Sequence, residues 1–478
     1  MKASFWFLIA TFLQKGLAAI TTPIFSRIMS TADYGKFGVF QSWHGIIAII
    51  IGLSLPAGVH VQGLIKFNQE RKVFSSSLQG LSVTMIAAWF LVYILFHSFW
   101  NSLFELTTIQ MICMFVIIWS TAAFSFWANE QRVTYSYKPL VAITVTAAVF
   151  SSVLEIVLVT YFNDKATARI IGCALANLLC YGWCFFRQQK KGRVFYSKSF
   201  WTYALGFNLP LIPHYLSQVV LNSADRIMIE RMVGDSEAGI YTLAYSLAVL
   251  GTMFTAALLQ TLNPWIYQKI KDRDVAGIAP VAYATMILVA LINLLLILLA
   301  PEILRIFAPA PYYDAVWIIP PVAMSGFFMY CYDLFAKFAF YYEKTKAIMV
   351  SSILSAALNI VLNTIFIGRV GYLAAGYTTL ACYLVYAAAH YLLMRRMCRV
   401  YCNSVYPYNT KLILMIAALF GGLGALTICM YDLPAARYSM VCMSIAAAVV
   451  FRRRIIDMLK SVMEIQMGRE SSLKGASS

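Results

Sequence analysis

Residues 208–241 read N-L-P-L-I-P-H-Y-L-S-Q-V-V-L-N-S-A-D-R-I-M-I-E-R-M-V-G-D-S-E-A-G-I-Y, and this stretch decides the fold of the chain. It is apolar enough to enter a bilayer, yet Pro210 and Pro213 interrupt its first half. Polar and charged side chains follow the prolines, and a helix that serves only as an anchor needs none of them. Prolines and ionisable groups in one membrane segment are typical of proteins that move a solute through the membrane.

The composition of the whole chain is that of a membrane protein. Of its 478 residues, 61% are hydrophobic and only 12% are charged, against roughly 25% charged in soluble domains. Apolar runs of about 20 residues recur along the chain, which is the length needed to cross a bilayer. No stretch of ordinary composition approaches the roughly 100 residues of a soluble catalytic domain. We therefore predict no enzyme.

The apolar runs predict an all-α integral membrane protein with about fourteen transmembrane helices. Their predicted positions are 4–28, 37–65, 74–98, 106–128, 139–160, 168–187, 201–224, 238–262, 280–300, 314–339, 347–367, 371–394, 411–430 and 436–451. The ten cysteines lie mostly inside these runs and lack the spacings of metal sites. The sequence accordingly predicts neither a metal nor another cofactor.

The basic residues predict the orientation of the chain. With the N-terminus in the cytoplasm, 26 lysines and arginines fall on the cytoplasmic side and 9 on the opposite side. Such a bias is expected for an even number of helices with both termini in the cytoplasm. Because the basic residues lie in short loops between apolar runs, the net charge of +17 does not indicate a nucleic-acid partner.

A shift of 204 residues aligns the first predicted helix with the seventh. Gln14 falls on Gln218, Arg27 on Arg231 and Gly35 on Gly239. Since the shift spans six helices, an even number, the two repeats run parallel through the membrane. The repeat predicts two pseudo-symmetric six-helix lobes with a central cavity, followed by two further helices.

This repeat divides the chain into five predicted parts. They are an N-terminal lobe at 1–190, a basic cytoplasmic linker at 191–200, a C-terminal lobe at 201–396, helices thirteen and fourteen at 397–451, and a cytoplasmic tail at 452–478.

Two stretches resemble a known family. Residues 23–38 read P-I-F-S-R-I-M-S-T-A-D-Y-G-K-F-G, and residues 223–241 read S-A-D-R-I-M-I-E-R-M-V-G-D-S-E-A-G-I-Y. Both resemble signatures of Wzx-type polysaccharide flippases, of the multidrug/oligosaccharidyl-lipid/polysaccharide (MOP) superfamily. The resemblance implies a MATE-like fold in the bacterial inner membrane. It also implies undecaprenyl-diphosphate-linked oligosaccharide repeat units of O-antigen, capsule or exopolysaccharide as substrate, and a polysaccharide polymerase as partner.

The anionic head of a lipid-linked diphosphate must cross hydrocarbon. The protein that carries it therefore needs cations and polar groups in a wet cavity. The predicted substrate-binding residues are Gln14, Lys15, Lys66, His214, Gln218 and Lys337. Lys15 lies in mid-helix, where an unpaired charge costs roughly 2.5–3.5 kcal/mol, so it either faces the cavity or is satisfied by snorkelling or by a local partner. His214 follows Pro213 and either titrates during transport or serves as an ordinary structural histidine.

A second set of charged residues predicts gating or coupling. The set comprises Arg27, Glu155, Asp225, Arg226, Glu230, Arg231 and Asp333. Arg226 and Glu230 share a helix face and are expected to form an ion pair, as do Asp333 and Lys337.

Four alternatives concern the roles of these charged residues, the energy source and the class of transporter. Glu155 is the only charged residue in its predicted helix. Its carboxyl is either protonated in place, and then couples transport to protons, or forms a hydrogen bond to a neighbouring helix. Asp333 and Lys337 are either a neutralising pair or a site that exchanges its partner during transport. The energy source is either an ion gradient, with H⁺ or Na⁺ as the coupling ion, or the substrate gradient itself. An ion-coupled multidrug or cation extruder is the alternative function. A membrane glycosyltransferase is disfavoured, because the predicted loops are short.

Overall fold

The structure is a computed structural model that describes residues 16, 17, 19–134, 136–446, 449, 450 and 452. Gln14, Lys15 and nearly all of the predicted cytoplasmic tail lie outside the described residues. The α-helices of the described part, in chain order, are α1 (19–28), α2 (Thr31–Gly52), α3 (Val59–Lys66), α4 (Arg71–Leu95), α5 (His97–Phe104), α6 (Thr108–Val133), α7 (Tyr137–Tyr161), α8 (Lys165–Gly192), α9 (Lys198–Asn208), α10 (Ile212–Met232), α11 (Asp235–Ala248), α12 (Leu250–Lys271), α13 (Ala279–Leu298), α14 (Ala300–Phe307), α15 (Ile319–Tyr341), α16 (Thr345–Val370), α17 (Ala374–Tyr401), α18 (Thr410–Cys429) and α19 (434–446).

The predicted all-α membrane fold is confirmed: across the described ranges the chain is helical and contains no strand. Eight helical segments of the described residues, one of which joins α11 and α12, are long and apolar enough to cross a bilayer. A ninth candidate is the 3-10 segment Ala310–Trp317 followed by α15, a pair bent by 47°. The predicted count of fourteen is consistent with the structure, since a helix lies at each predicted position in the described residues.

The chain forms two compact units, Met1–Thr242 and Leu243–Ser478. In the first unit, α8 packs against α4, α6 and α7, and α10 packs against α2. In the second, α15 is the most buried helix and packs against α12, α13 and α17. The predicted five-part division into six-helix lobes, linker and tail remains a prediction.

The second predicted helix is not continuous, which corrects the prediction of one span over 37–65. It is divided into α2 and α3 by residues 53–58. Leu53 and Ser54 both have left-handed backbone, with φ of 50° and 49°, and Pro56 follows. Two successive left-handed residues end a right-handed helix, and each non-glycine residue in that region stores about 1 kcal/mol or more of strain.

The seventh predicted helix is divided where its prolines stand. A 3-10 turn at Leu209–Leu211 contains Pro210 and separates α9 from α10. Pro213 occupies the first turn of α10. Backbone N–H groups there have no partner within the helix, so the missing N–H of proline costs no hydrogen bond. The predicted interruption of this segment is therefore confirmed, whereas its service as a hinge stays a prediction.

The two segments aligned by the 204-residue shift meet within the first unit. A methyl group added at Gly35 would overlap the carbonyl oxygen of Asp235, and one added at Gly239 would overlap that of Thr31. The shift maps Thr31 onto Asp235 and Gly35 onto Gly239, so each contact is the counterpart of the other. Contacts that exchange in this way are the mark of a two-fold relation between equivalent segments.

Candidate functional site

A cavity of about 320 Å³, with a mainly apolar lining that also contains polar side chains, opens at the break between α2 and α3. It lies within the first unit and is bounded by α2, residues 54–57 and α6. The lining residues are Ala48, Ile49, Gly52, Ser54, Pro56, Ala57, Ile118, Thr121, Ala122, Ser125, Asn129 and Arg132. Irregular backbone at membrane depth is tolerated where it lines a cavity, and broken helices often build the solute sites of transporters.

Asn208, at the end of α9, stabilises the break through two hydrogen bonds. Its side-chain amide donates to the carbonyl oxygen of Leu53 at 2.8 Å. Its side-chain oxygen accepts from the backbone N–H of Val59 at 3.3 Å. The amide thus satisfies the carbonyl of Leu53, at the start of the break, and the first N–H after the break. Since Asn208 ends α9, the opening of the 208–241 stretch fixes the shape of the second helix.

Asn129 of α6 forms the second support of the break. It donates to the carbonyl oxygen of Pro56 at 2.7 Å, and its amide nitrogen lies 3.5 Å from Nδ1 of His60. Nε2 of His60 lies 2.9 Å from the hydroxyl of Ser75. His60 is fully buried and packs edge-on against Phe126, with ring centroids 4.8 Å apart. His60 therefore belongs to the packed support of the site.

Arg132 is the cation of this cavity. Its Nη1 donates to Oδ1 of Asn129 at 3.0 Å, so the amide that supports the break also orients the guanidinium. The residue is exposed to solvent within the cavity and forms no ion pair in the described part of the chain. A solvent-exposed guanidinium held by an amide oxygen at the lining of a cavity is suited to bind an anion such as a phosphate.

We expect Asn208→Ala to destabilise the protein by about 1–3 kcal/mol, because two buried backbone groups lose their partner. The matched control is Asn177→Ala. Its side-chain amide bonds the carbonyl of Cys173 in its own helix, so its loss leaves no break unsupported. The measurement is the unfolding midpoint of the purified protein in detergent. Equal midpoints for the two variants would contradict the assigned support.

The predicted substrate-binding residues do not gather in this cavity. The side chain of Lys66 is exposed, and its ammonium group lies 4.4 Å from the ring centroid of Tyr203. His214 and Gln218 lie half-buried on α10. Lys337 belongs to the second unit, where it is buried. Because Gln14 and Lys15 lie outside the described residues, their roles remain predictions.

Asp333 and Lys337 form the predicted pair, with Nζ 3.2 Å from Oδ1. Lys337 is the more buried partner, with 9% of its side chain exposed against 26% for Asp333. Their i, i+4 spacing on α15 brings the two side chains together, as expected. The pair thus exists as a neutralising contact, and partner exchange during transport stays a prediction.

Glu155 does not stand alone, which corrects the sequence-based interpretation. Its Oε2 lies 3.3 Å from Nε of Arg169 on α8, and Ser151 donates to its Oε1 at 2.7 Å. The guanidinium of Arg169 lies 3.7 Å from the ring centroid of Phe25 and 3.8 Å from that of Phe37. Arg169 is the second residue of the predicted helix 168–187, whereas α8 begins at Lys165, so Arg169 lies one turn into the helix.

We expect Arg169→Leu to destabilise the protein by about 3–5 kcal/mol, because it leaves the Glu155 carboxylate buried without a partner. The double variant Glu155→Gln/Arg169→Leu is expected to recover most of that loss. The unfolding midpoints of both variants and of Glu155→Gln supply the test. A coupling role for Glu155 predicts instead that Glu155→Gln abolishes transport without lowering the midpoint.

The charged end of α10 is arranged differently from the prediction. Asp225 is buried and accepts a hydrogen bond from the hydroxyl of Tyr241 at 2.6 Å. Arg231 pairs with Glu105, with Nε 3.4 Å from Oε1.

The predicted Arg226–Glu230 ion pair is wrong: within the described residues Glu230 forms no ion pair, and its buried Oε2 has no hydrogen-bond partner. A shared helix face brings the two side chains near each other without bringing their charged ends into contact. Arg27, the counterpart of Arg231, instead donates to the carbonyl of Pro23 at 2.7 Å. The gating roles of these residues stay predictions.

A family model described as "Polysaccharide biosynthesis protein" matches residues 1–269, more than half of the chain. The chain belongs to the polysaccharide biosynthesis protein family. A second family model, MatE, matches residues 210–365. The family match covers both supports of the broken helix and the whole cavity that contains Arg132.

Two relatives come from Haemophilus influenzae. The Lsg locus putative protein 1 is 24% identical over 379 residues, covering 75% of this chain and 88% of that protein. A protein described as an uncharacterized membrane protein is 21% identical over 374 residues, with the same coverage of 75% and 88%.

Solved structures show the same fold. The lipid II flippase MurJ in an inward closed conformation matches with a TM-score of 0.70 and 13% identity, covering 94% of this chain and 99% of that one. An inward-facing multidrug resistance MATE family transporter of the MOP superfamily matches with a TM-score of 0.62 and 14% identity, covering 81% and 95%. The chain is therefore a multi-pass membrane protein of the MOP superfamily, whose family and fold are those of transporters and flippases.

Proposed function

We propose that this protein flips undecaprenyl-diphosphate-linked oligosaccharide repeat units from the cytoplasmic to the periplasmic leaflet of the bacterial inner membrane. The observation that carries the proposal is the cavity at the broken second helix, with Arg132 as its cation, in a chain of the polysaccharide biosynthesis protein family. The likeness to a lipid II flippase supports a lipid-linked solute.

The cavity offers the chemistry that such a solute needs. The guanidinium of Arg132 binds the diphosphate, since a planar fork of donors matches phosphate oxygens. Ser54, Ser125 and Asn129 offer hydroxyl and amide groups for sugar hydroxyls. The hydrocarbon tail stays in the bilayer while the polar head passes through the protein by alternating access.

The proposed energy coupling involves residues of the second unit. An H⁺ or Na⁺ gradient would act on the Asp333–Lys337 pair, because exchange of the partner of Lys337 changes the charge of the interior. Lys15, Gln14, His214 and Gln218 complete the proposed solute path, and Arg27 and Arg231 its gate. A polysaccharide polymerase that receives the flipped units is a proposed partner.

An ion-coupled multidrug or cation extruder is the second candidate function. The MatE match at residues 210–365 and the MATE transporter structures support it. A cation extruder is expected to place acidic groups in its solute cavity, whereas the cavity at the broken helix is lined by no acidic residue within the described part of the chain. This difference in charge favours the flippase.

Deletion of the gene in its own bacterium tests the two candidates together. A flippase predicts loss of surface polysaccharide and accumulation of lipid-linked repeat units on the cytoplasmic side, with restoration by the full-length gene. An extruder predicts unchanged polysaccharide and lower tolerance to cationic dyes. Unchanged surface polysaccharide in the deletion strain would overturn the proposed function.

A further inference from the structure

A second cavity, of about 380 Å³, lies in the second unit where three helices end side by side. These helices are α12, α15 and α17. Its lining includes Lys271, Arg273, Tyr341, Tyr342 and Tyr401. The charge bias of the loops assigns these ends to the cytoplasmic side. The proposed transport mechanism uses none of these residues.

Two cations of this cavity are unpaired. Lys271 ends α12, and Arg273 follows it in a left-handed backbone conformation with φ of 59°. Both are exposed, and neither forms an ion pair within the described residues. The lining therefore contains two cations and, among the described residues, no acidic side chain.

The acidic residues of the same loop have other partners. Asp272 accepts a hydrogen bond from the side-chain amide of Gln268 at 2.5 Å. Asp274 pairs with the ammonium group of Lys269 and accepts from the backbone N–H of Gly277 at 3.1 Å. The hydrogen bond from Lys269 holds the pKa of Asp274 below its ordinary value, so this carboxylate is ionised and engaged at neutral pH. Neither acid is among the lining residues.

Tyrosine side chains line the same cavity as these cations. The rings of Tyr342 and Tyr401 stack with centroids 4.3 Å apart and planes 16° apart. Tyr341 meets Tyr342 edge-on at 5.1 Å. The ammonium group of Lys344 lies 5.5 Å from the ring centroid of Tyr401, which adds positive charge to the rim. A basic cavity with an aromatic wall suits a polar ligand that carries a phosphate.

We propose that this cavity binds a phosphate-bearing anionic headgroup, with Lys271 and Arg273 on the phosphate and the ring of Tyr401 against the group attached to it. Basic pockets between membrane helices on the cytoplasmic side are suited to anionic lipid headgroups. The same chemistry would accept a soluble phosphate ester. The site acts independently of the transported solute, and its occupant stabilises the ends of three helices.

The test uses the purified full-length protein in nanodiscs of phosphatidylcholine with or without phosphatidylglycerol. The variant is Lys271→Ala/Arg273→Asn, since asparagine tolerates the left-handed backbone at this position. The control Lys346→Ala/Arg396→Ala removes the same charge from exposed residues of the same unit that do not line the cavity. Native mass spectrometry measures bound phosphatidylglycerol, which we expect to bind about tenfold or more weakly to the variant than to the control.

A second arm identifies the source of the phosphate. Glycerol 1-phosphate is titrated into protein in pure phosphatidylcholine nanodiscs by calorimetry. Binding of phosphatidylglycerol without binding of glycerol 1-phosphate assigns the site to lipid, whereas binding of glycerol 1-phosphate that the variant loses assigns it to a soluble ester. Tyr401→Ala is expected to weaken whichever ligand binds, and Tyr401→Phe to preserve it. Equal binding by the variant and the wild-type protein in both arms would overturn the proposal.

Discussion

Replacement of Arg132 by alanine is expected to lower display of surface polysaccharide by about tenfold to hundredfold, because a charge-assisted hydrogen bond contributes roughly 1.5–3 kcal/mol. Arg132 is the cation of the cavity at the broken helix, and Asn129 orients it at 3.0 Å. The measurement is surface polysaccharide per cell in a deletion strain that expresses the variant at the wild-type level. Lipid-linked repeat units are expected to accumulate in parallel.

Two further variants distinguish a specific role of Arg132 from a general effect of losing one positive charge. Lys138→Ala removes an exposed basic residue from the start of α7, close to Arg132 in sequence but outside the cavity lining, and should leave display unchanged. Arg132→Lys keeps the charge but loses the planar fork, so it should restore display only in part. If Arg132→Ala and Lys138→Ala lowered display equally, the assigned cavity would not be the solute site.

Gly35→Leu is expected to separate α2 from the start of α11. Any side chain at Gly35 meets the backbone oxygen of Asp235, which cannot move without its helix. Forcing such an overlap costs about 1–3 kcal/mol, which lowers the population of the closed crossing by roughly fivefold to more than hundredfold. In the proposed alternating access this crossing forms and parts, so transport should fall to a similar degree.

A cross-link reports the crossing directly. The hydroxyl oxygens of Thr31 and Ser236 lie 2.7 Å apart, so Thr31→Cys/Ser236→Cys should form a disulfide that neither single variant forms. Adding Gly35→Leu should suppress it. Gly421→Leu serves as the control, because a side chain at Gly421 would meet open space. An undiminished cross-link in the Gly35→Leu background would contradict the close crossing.

The sequence predicted the fold wherever local features determine it. Apolar runs located the helices, and Pro210 and Pro213 marked a break that the structure contains. The 204-residue shift paired Gly35 with Gly239, and these glycines prove to be the contact itself. Such features depend on residue type and spacing, which the sequence displays.

The break in the second helix was beyond sequence reasoning because its supports come from distant parts of the chain. Asn208 lies 155 residues from Leu53, and Asn129 lies 73 residues from Pro56. Pro56 alone gave a signal, but a proline near a helix end has several outcomes. The resulting cavity, and therefore its cation, could not be located without the fold.

Charge pairs follow this division only in part. The Asp333–Lys337 pair lies within one helix and was predicted, whereas Glu155 meets Arg169 on the following helix. The Arg226–Glu230 pair was also predicted within one helix, but Glu230 forms no ion pair among the described residues. Arg132 had been counted among the basic residues that orient the chain. A usable signal was present in the run N-E-Q-R at residues 129–132, which places polar side chains on the last turn of an otherwise apolar helix.

Transbilayer movement of an undecaprenyl-diphosphate-linked oligosaccharide in proteoliposomes tests the central claim most directly. The purified wild-type protein should move the labelled lipid well above the rate of protein-free vesicles. Arg132→Ala should lower that rate by about tenfold or more, while Lys138→Ala leaves it unchanged. Movement by the wild-type protein no faster than in protein-free vesicles, or a full rate with Arg132→Ala, would contradict the account.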